Sequence, residues 1–141
     1  MNPNTFNRLK QLGFSDDEII KMSKTFKHTL TQSPEKVESV VNELINQGLN
    51  NQQTHEFLIH TPSILGKAVT TIRQQFDLYR QIFGNRYIDV LSINPRRLIQ
   101  GLKTTKNRYA FFVNNNISQE EIEKNLFISK VQFKRKYNCE L

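Results

Sequence analysis

The stretch Leu12-Gly13-Phe14-Ser15-Asp16-Asp17-Glu18-Ile19-Ile20-Lys21-Met22 ends one helix and starts the next within four residues. Gly13 stands where a helix terminus needs a left-handed residue, and Ser15, two positions on, carries the side chain of an N-cap. Asp16-Asp17-Glu18 then supply an acidic first turn that complements the helix dipole, and Ile19, Met22 and Phe26 follow helical 3,4 spacing. The same punctuation returns in altered form as Gln47-Gly48-Leu49-Asn50, as Phe83-Gly84 and as Asn116-Ile117-Ser118. The glycines lie 35 and 36 residues apart, and Asn116 follows 32 residues after Gly84. A period of this size marks stacked helical units, whereas an ordinary bundle imposes no fixed spacing.

Between these marks the apolar residues keep a helical period. Ser33 caps a helix that opens on Pro34, carries Val37, Val40, Val41 and Leu44 inward and stops at Gly48. The next unit predicts a helix near 51–60 with Thr54, Phe57 and Leu58 inward, and a break at Thr61-Pro62. A longer helix near 67–82 then carries Val69, Ile72, Phe76, Tyr79 and Phe83. The third repeats this plan with a short segment at 86–92, a break at Asn94-Pro95 and a helix near 97–114 burying Leu98, Leu102, Tyr109, Phe112 and Val113. Ser118-Gln119-Glu120-Glu121 starts a helix to about 126, and a basic helix near 129–137 follows. No segment alternates as a strand does. A helix pair cannot bury its stripe alone, so the expected fold is all-α: a short α-solenoid of about three to four helical repeats, one domain over 1–141. Its expected parts are an N-terminal cap at 1–11, repeats at 12–48, 49–84 and 85–116, and a partial repeat with a C-terminal cap at 117–141. Phe6 and Leu9 close one end, and Leu126, Phe127, Val131, Phe133 and Tyr137 the other.

Composition narrows the function classes. The chain is polar, with a mean hydropathy of −0.57, yet ten Phe and four Tyr are bulk that a disordered chain lacks. Five Gly and four Pro exclude a collagen-like chain, and there is no Gly-rich phosphate loop. Apolar runs fall far short of the roughly 20 residues that cross a bilayer, and Met1-Asn2-Pro3-Asn4 does not open a signal peptide. No membrane partner is expected. The lone Cys139 excludes an intramolecular disulfide and fits a reducing, cytoplasmic location. His28, His55 and His60 lack ligand spacing, so neither a metal nor another cofactor is expected.

The first unit, Leu12 to Met22 with Phe26, Leu30, Ser33-Pro34-Glu35-Lys36-Val37 and Leu44 to Gly48, resembles one full repeat of the mitochondrial transcription termination factor (mTERF) family. Leu58-Ile59-His60-Thr61-Pro62-Ser63-Ile64-Leu65 is similar to that family's apolar-x-x-Pro-x-apolar-Leu segment, and Asn94-Pro95-Arg96-Arg97-Leu98 is a shortened version of it. Lys27 stands where the first repeat would carry proline, and the chain is much shorter than organellar members, which points to a compact relative of bacterial type. The resemblance implies a left-handed superhelix with a basic face that binds double-stranded DNA or structured RNA, in transcription or RNA metabolism.

Charge supports a polyanionic partner independently. The net charge is +7, and residues 1–70 balance seven basic against seven acidic side chains, so the whole excess lies in residues 71–141. Arg73 and Arg80 are expected to form a row on the solvent side of their helix, and Arg86 follows it. Arg96 and Arg97 precede the third long helix, which carries Lys103, Lys106 and Arg108, while Lys130, Lys134, Arg135 and Lys136 make a basic end. Such groups contact a phosphate backbone rather than bases. No nucleophile, paired carboxylate or other catalytic set is recognisable, so the expected protein is a non-enzymatic nucleic-acid binder. The competing reading is a helical-repeat scaffold for a protein partner, such as a bacterial effector or adaptor.

Overall fold

The computed structural model describes residues 3–141; Met1 and Asn2, which open the expected N-terminal cap, lie outside the described residues. Its helices are α1 (Pro3–Gln11), α2 (Asp16–Thr25), α3 (Pro34–Asn46), α4 (Asn51–His60), α5 (Val69–Phe83), α6 (Tyr87–Ile93), α7 (Leu102–Asn114), α8 (Gln119–Asn125) and α9 (Lys130–Tyr137). Short 3-10 segments fill Pro62–Gly66, Gly84–Arg86 and Pro95–Ile99, and no strand occurs among the described residues. The chain is a short all-α solenoid, in which a short helix, a break and a longer helix succeed one another.

The turns between units are built by the residues that the sequence singles out. Gly13, Gly48 and Asn116 have φ of 102°, 110° and 56°. At each, two backbone bonds close the preceding helix: Phe14 N to Leu9 O with Gly13 N to Lys10 O, Leu49 N to Leu44 O with Gly48 N to Ile45 O, and Ile117 N to Phe112 O with Asn116 N to Val113 O. Ser15, Asn50 and Ser118 then cap α2, α4 and α8. Gly84 differs, since it leads into a 3-10 turn and α6 has no side-chain cap. Pro62 and Pro95 each open a 3-10 break, where a fixed φ helps and a missing N–H costs nothing. At Lys27 there is no such segment, and Thr29 instead turns the chain by donating its hydroxyl to Phe26 O at 2.6 Å.

Two layers result. α1, α3, α5 and α7 pack in succession, each against the next, while α2 packs on α4, and α4 on the Pro95–Ile99 turn. One hydrogen bond recurs between units. Thr5 of α1 donates to Gln32 O, Lys36 of α3 to Lys67 O, Gln75 of α5 to Gln100 O and Arg108 of α7 to Ile128 O. Every acceptor is the carbonyl immediately before the N-cap of the following long helix, namely Ser33, Ala68, Gly101 and Ser129. Carbonyls in an irregular break have no helical partner, and burying them unpaired is costly, so each long helix supplies the missing donor to its neighbour.

Three expectations are corrected. The helix drawn over 97–114 is two elements, because the backbone leaves helical geometry at Gln100 and Gly101 and α7 begins at Leu102. Restarting there rotates the buried stripe to Thr105, Arg108 and Phe112, which leaves Val113 54% exposed. Val131 is 67% exposed and caps nothing, whereas Phe133 is fully buried against Phe112, 5.6 Å between ring centroids, and against Tyr137, 4.8 Å. Phe133→Ala should therefore cost about 3–5 kcal/mol in urea unfolding, and Val131→Ala less than about 0.5 kcal/mol. Equal effects of the two would show that α9 does not close the core.

Candidate nucleic-acid interface

The expected row on α5 is engaged within the protein. Arg73 Nη2 donates to Glu43 Oε1 at 2.6 Å, and Gln47 Nε2 donates to the other oxygen, Glu43 Oε2, at 2.5 Å. Arg80 Nη2 reaches Gln47 O at 3.0 Å and Gln47 Oε1 at 2.7 Å, and its Nη1 reaches Asp77 at 3.3 Å. The Arg80 guanidinium also lies 4.8 Å over the Tyr87 ring, whose hydroxyl donates to Gln47 O at 2.7 Å. These contacts tie α3, α5 and α6 together. Glu43 is buried, and the Arg73 hydrogen bond, outweighing burial, holds its carboxyl below the ordinary 4.5.

Other expected ligands are also committed. Arg86 pairs with Glu123 at 2.8 Å, Lys134 with Glu140 at 2.7 Å, and Lys136 bonds Asn125 at 3.1 Å beside Glu121. Arg97 donates to Val90 O at 2.6 Å and covers the Phe127 ring at 5.0 Å; burial pushes its pKa down. Arg108, expected on the exposed face, is only 2% exposed. It donates to Leu141 O, Gln100 Oε1, Leu126 O and Ile128 O and lies 4.5 Å from the Phe133 ring centroid. It is a structural cross-link between α7 and the last break.

What the fold does bring together lies where the third and fourth units meet. A depression of about 580 Å³ is lined by Arg96, Arg97, Arg108, Lys124 and Lys130, with Ile99 and Phe127 among its apolar groups and no Asp or Glu. A second hollow of about 410 Å³ beside it shares Arg108 and Lys130, adds Lys103, and meets Glu140. Lys106 is one helical turn from Lys103 on the exposed side of α7, and Lys134 is one turn from Lys130 on α9. Arg135, five positions from Lys130, is turned well away from it around the helix. The side chains of Arg96, Lys103, Lys106 and Lys130 are exposed and make no hydrogen bond or ion pair among the described residues. Sequence reading passed over Lys124, whose signal was its place four residues after Glu120, an exposed ion pair at 3.2 Å. It also passed over Gln75, a polar residue inside the apolar stripe of Ile72, Phe76 and Tyr79.

The histidines serve the helices. His55 stacks on Phe14 at 4.3 Å and pairs with Glu18 at 3.0 Å, and His60 meets Glu56 at 3.2 Å. No group of three His, Cys, Asp or Glu able to hold a metal occurs among the described residues, and no helix of the described chain is long and apolar enough to cross a membrane.

A short helical solenoid with a cationic face at the junction of its last units defines a class of repeat protein suited to a polyanion. The mTERF family model matches residues 2–134, and the chain belongs to the mTERF family, helical-repeat proteins that generally bind nucleic acid. Comparison with curated proteins and with solved structures found no match.

The two kinds of arginine contact are separable by experiment. Arg108→Ala leaves buried carbonyls unpaired and should cost about 3–5 kcal/mol by urea unfolding, while Arg96→Ala should stay within about 0.5 kcal/mol. A folded-state pKa below 4.5 means that Glu43 contributes stability fully present above that value and lost as pH falls through the folded pKa. Unfolding midpoints followed downward from about pH 6 should therefore fall less steeply for Glu43→Gln than for the parent chain. An unchanged slope would contradict the Arg73–Glu43 pairing.

Proposed function

We propose that the protein is a non-enzymatic binder of double-stranded DNA or structured RNA, holding the phosphate backbone through Arg96, Lys103, Lys106 and Lys130, with Lys134, whose solvent-exposed pair with Glu140 exchanges at little cost, at the edge. The observation that carries this reading is the cationic depression free of carboxylates between the third and fourth units. Side chains already spent on Glu43, Gln47 or Glu123 are poor phosphate ligands, because a new contact would have to break an existing one. Arg73, Arg80 and Arg86 therefore act mainly in holding the units in register, and Arg108 wholly so.

Backbone contacts of this kind carry little sequence preference and release counterions. Family membership favours nucleic acid over a protein ligand, and it supports our reading of a role in transcription or RNA metabolism.

Four to five phosphate contacts give a log-log salt slope of about −4 between about 50 and 200 mM salt, measured by fluorescence anisotropy with a labelled duplex. Lys103→Glu with Lys106→Glu should make the slope shallower by about 2 and weaken all duplex sequences alike. A flat salt response, or tighter binding by that double variant, would refute the reading.

A further inference from the structure

The depression between the third and fourth units is more than a charged surface. Beside its cations lies an apolar floor: Ile99 is 45% exposed and Ile128 half-buried, while Arg97 covers the Phe127 ring. Arg97 and Arg108 stiffen its walls by bonding Val90 O and the carbonyls of Leu126 and Ile128, whereas Arg96 and Lys130 have no side-chain partner among the described residues. Lys124 stands at the rim, paired only with the exposed Glu120. The first turn of α7 opens into the same space through Gln100, Gly101 and Thr104, and no side chain caps it. Gathering five cations with only Glu120 and Glu123 nearby is unfavourable, and an anion lowers that cost. A bare phosphate would use the cations alone and leave the floor wet.

We propose that this depression binds a nucleoside phosphate: phosphate oxygens sit against Arg96, Lys130 and the first turn of α7, and the base lies against Ile99, Ile128 and the Arg97 guanidinium that covers Phe127. A volume of about 580 Å³ is within the roughly 300–1,000 Å³ of small-ligand sites and accommodates one nucleotide. Unpaired bases commonly rest on aromatic and apolar side chains while cations hold their phosphates. The ligand is either a free nucleotide or one unpaired nucleotide of a strand, which present the same chemistry. The inference shares Arg96 and Lys130 with the proposed phosphate-binding surface, but it is carried by the apolar lining of the pocket, which backbone contacts do not use.

Calorimetric titration of the full chain with ADP, inorganic pyrophosphate and adenosine tests it. ADP should bind at least tenfold more tightly than pyrophosphate, and adenosine should give no heat. Arg96→Glu and Lys130→Glu, both at exposed positions, should each weaken ADP at least tenfold with unchanged helical circular dichroism. Lys21→Glu with Lys24→Glu, exposed on α2 outside the depression, alters the net charge at least as much and should shift ADP affinity less than twofold. A short single-stranded oligonucleotide that displaces ADP assigns the pocket to a strand, and one that does not assigns it to a free nucleotide. Pyrophosphate equal to ADP, or ADP binding indifferent to both single reversals, overturns the proposal. ADP binding without duplex binding would leave the pocket standing and remove the duplex reading alone.

Discussion

A single donor from each long helix, aimed at the carbonyl just before the next long helix, is the contact on which the stack depends. Thr5 and Lys36 occupy the third position of α1 and α3, while Gln75 and Arg108 occupy the seventh of α5 and α7, about one helical turn further along. The breaks must bend the chain sharply, so their carbonyls leave the helical ladder and need partners from outside. Meeting that need from the preceding unit makes each unit's fold conditional on its neighbour, as stacked repeats require. Apolar contact between the long helices supplies the bulk of the driving force; the polar bond fixes how far one helix slides along the next.

The same economy explains which cations are free. Between α3 and α5 the arginines meet Glu43 and Gln47, so charge there is consumed in holding two units together. At the junction of the third and fourth units Arg97 and Arg108 bond the neutral carbonyls of Val90 and Ile128 instead, which keeps the positive charge. Arg96 and Lys130 then stand beside them with no side-chain partner among the described residues. A structural requirement of the repeat thus leaves a cationic hollow at one end of the solenoid and a nearly neutral surface at the other.

Much of the fold was legible because turn chemistry is local. Gly13, Gly48 and Asn116 need a left-handed backbone, and the caps Ser15, Asn50 and Ser118 act within three residues, so both are visible in a linear reading. The inter-unit bond was not, because Thr, Lys, Gln and Arg all satisfy one carbonyl and share no letter to align. The site was read too generously for a related reason. Charge counts see Arg73, Arg80 and Arg108 as equals of Lys103, but most of their partners lie 18 to 33 residues away. The inward face of Arg108 did have a signature, its spacing of three after Thr105 and four before Phe112, which the more apolar set ending at Val113 obscured.

The central claim is that free cations converge at the junction of the last two units and that the first units stay out of the interface. Amide chemical-shift mapping of the full chain titrated with a short duplex at low salt addresses it residue by residue. The account predicts shifts concentrated in residues 94–108 and 124–134, with α2 and α3 unmoved. Shifts centred on α2 and α3, or spread evenly around the solenoid, would contradict it.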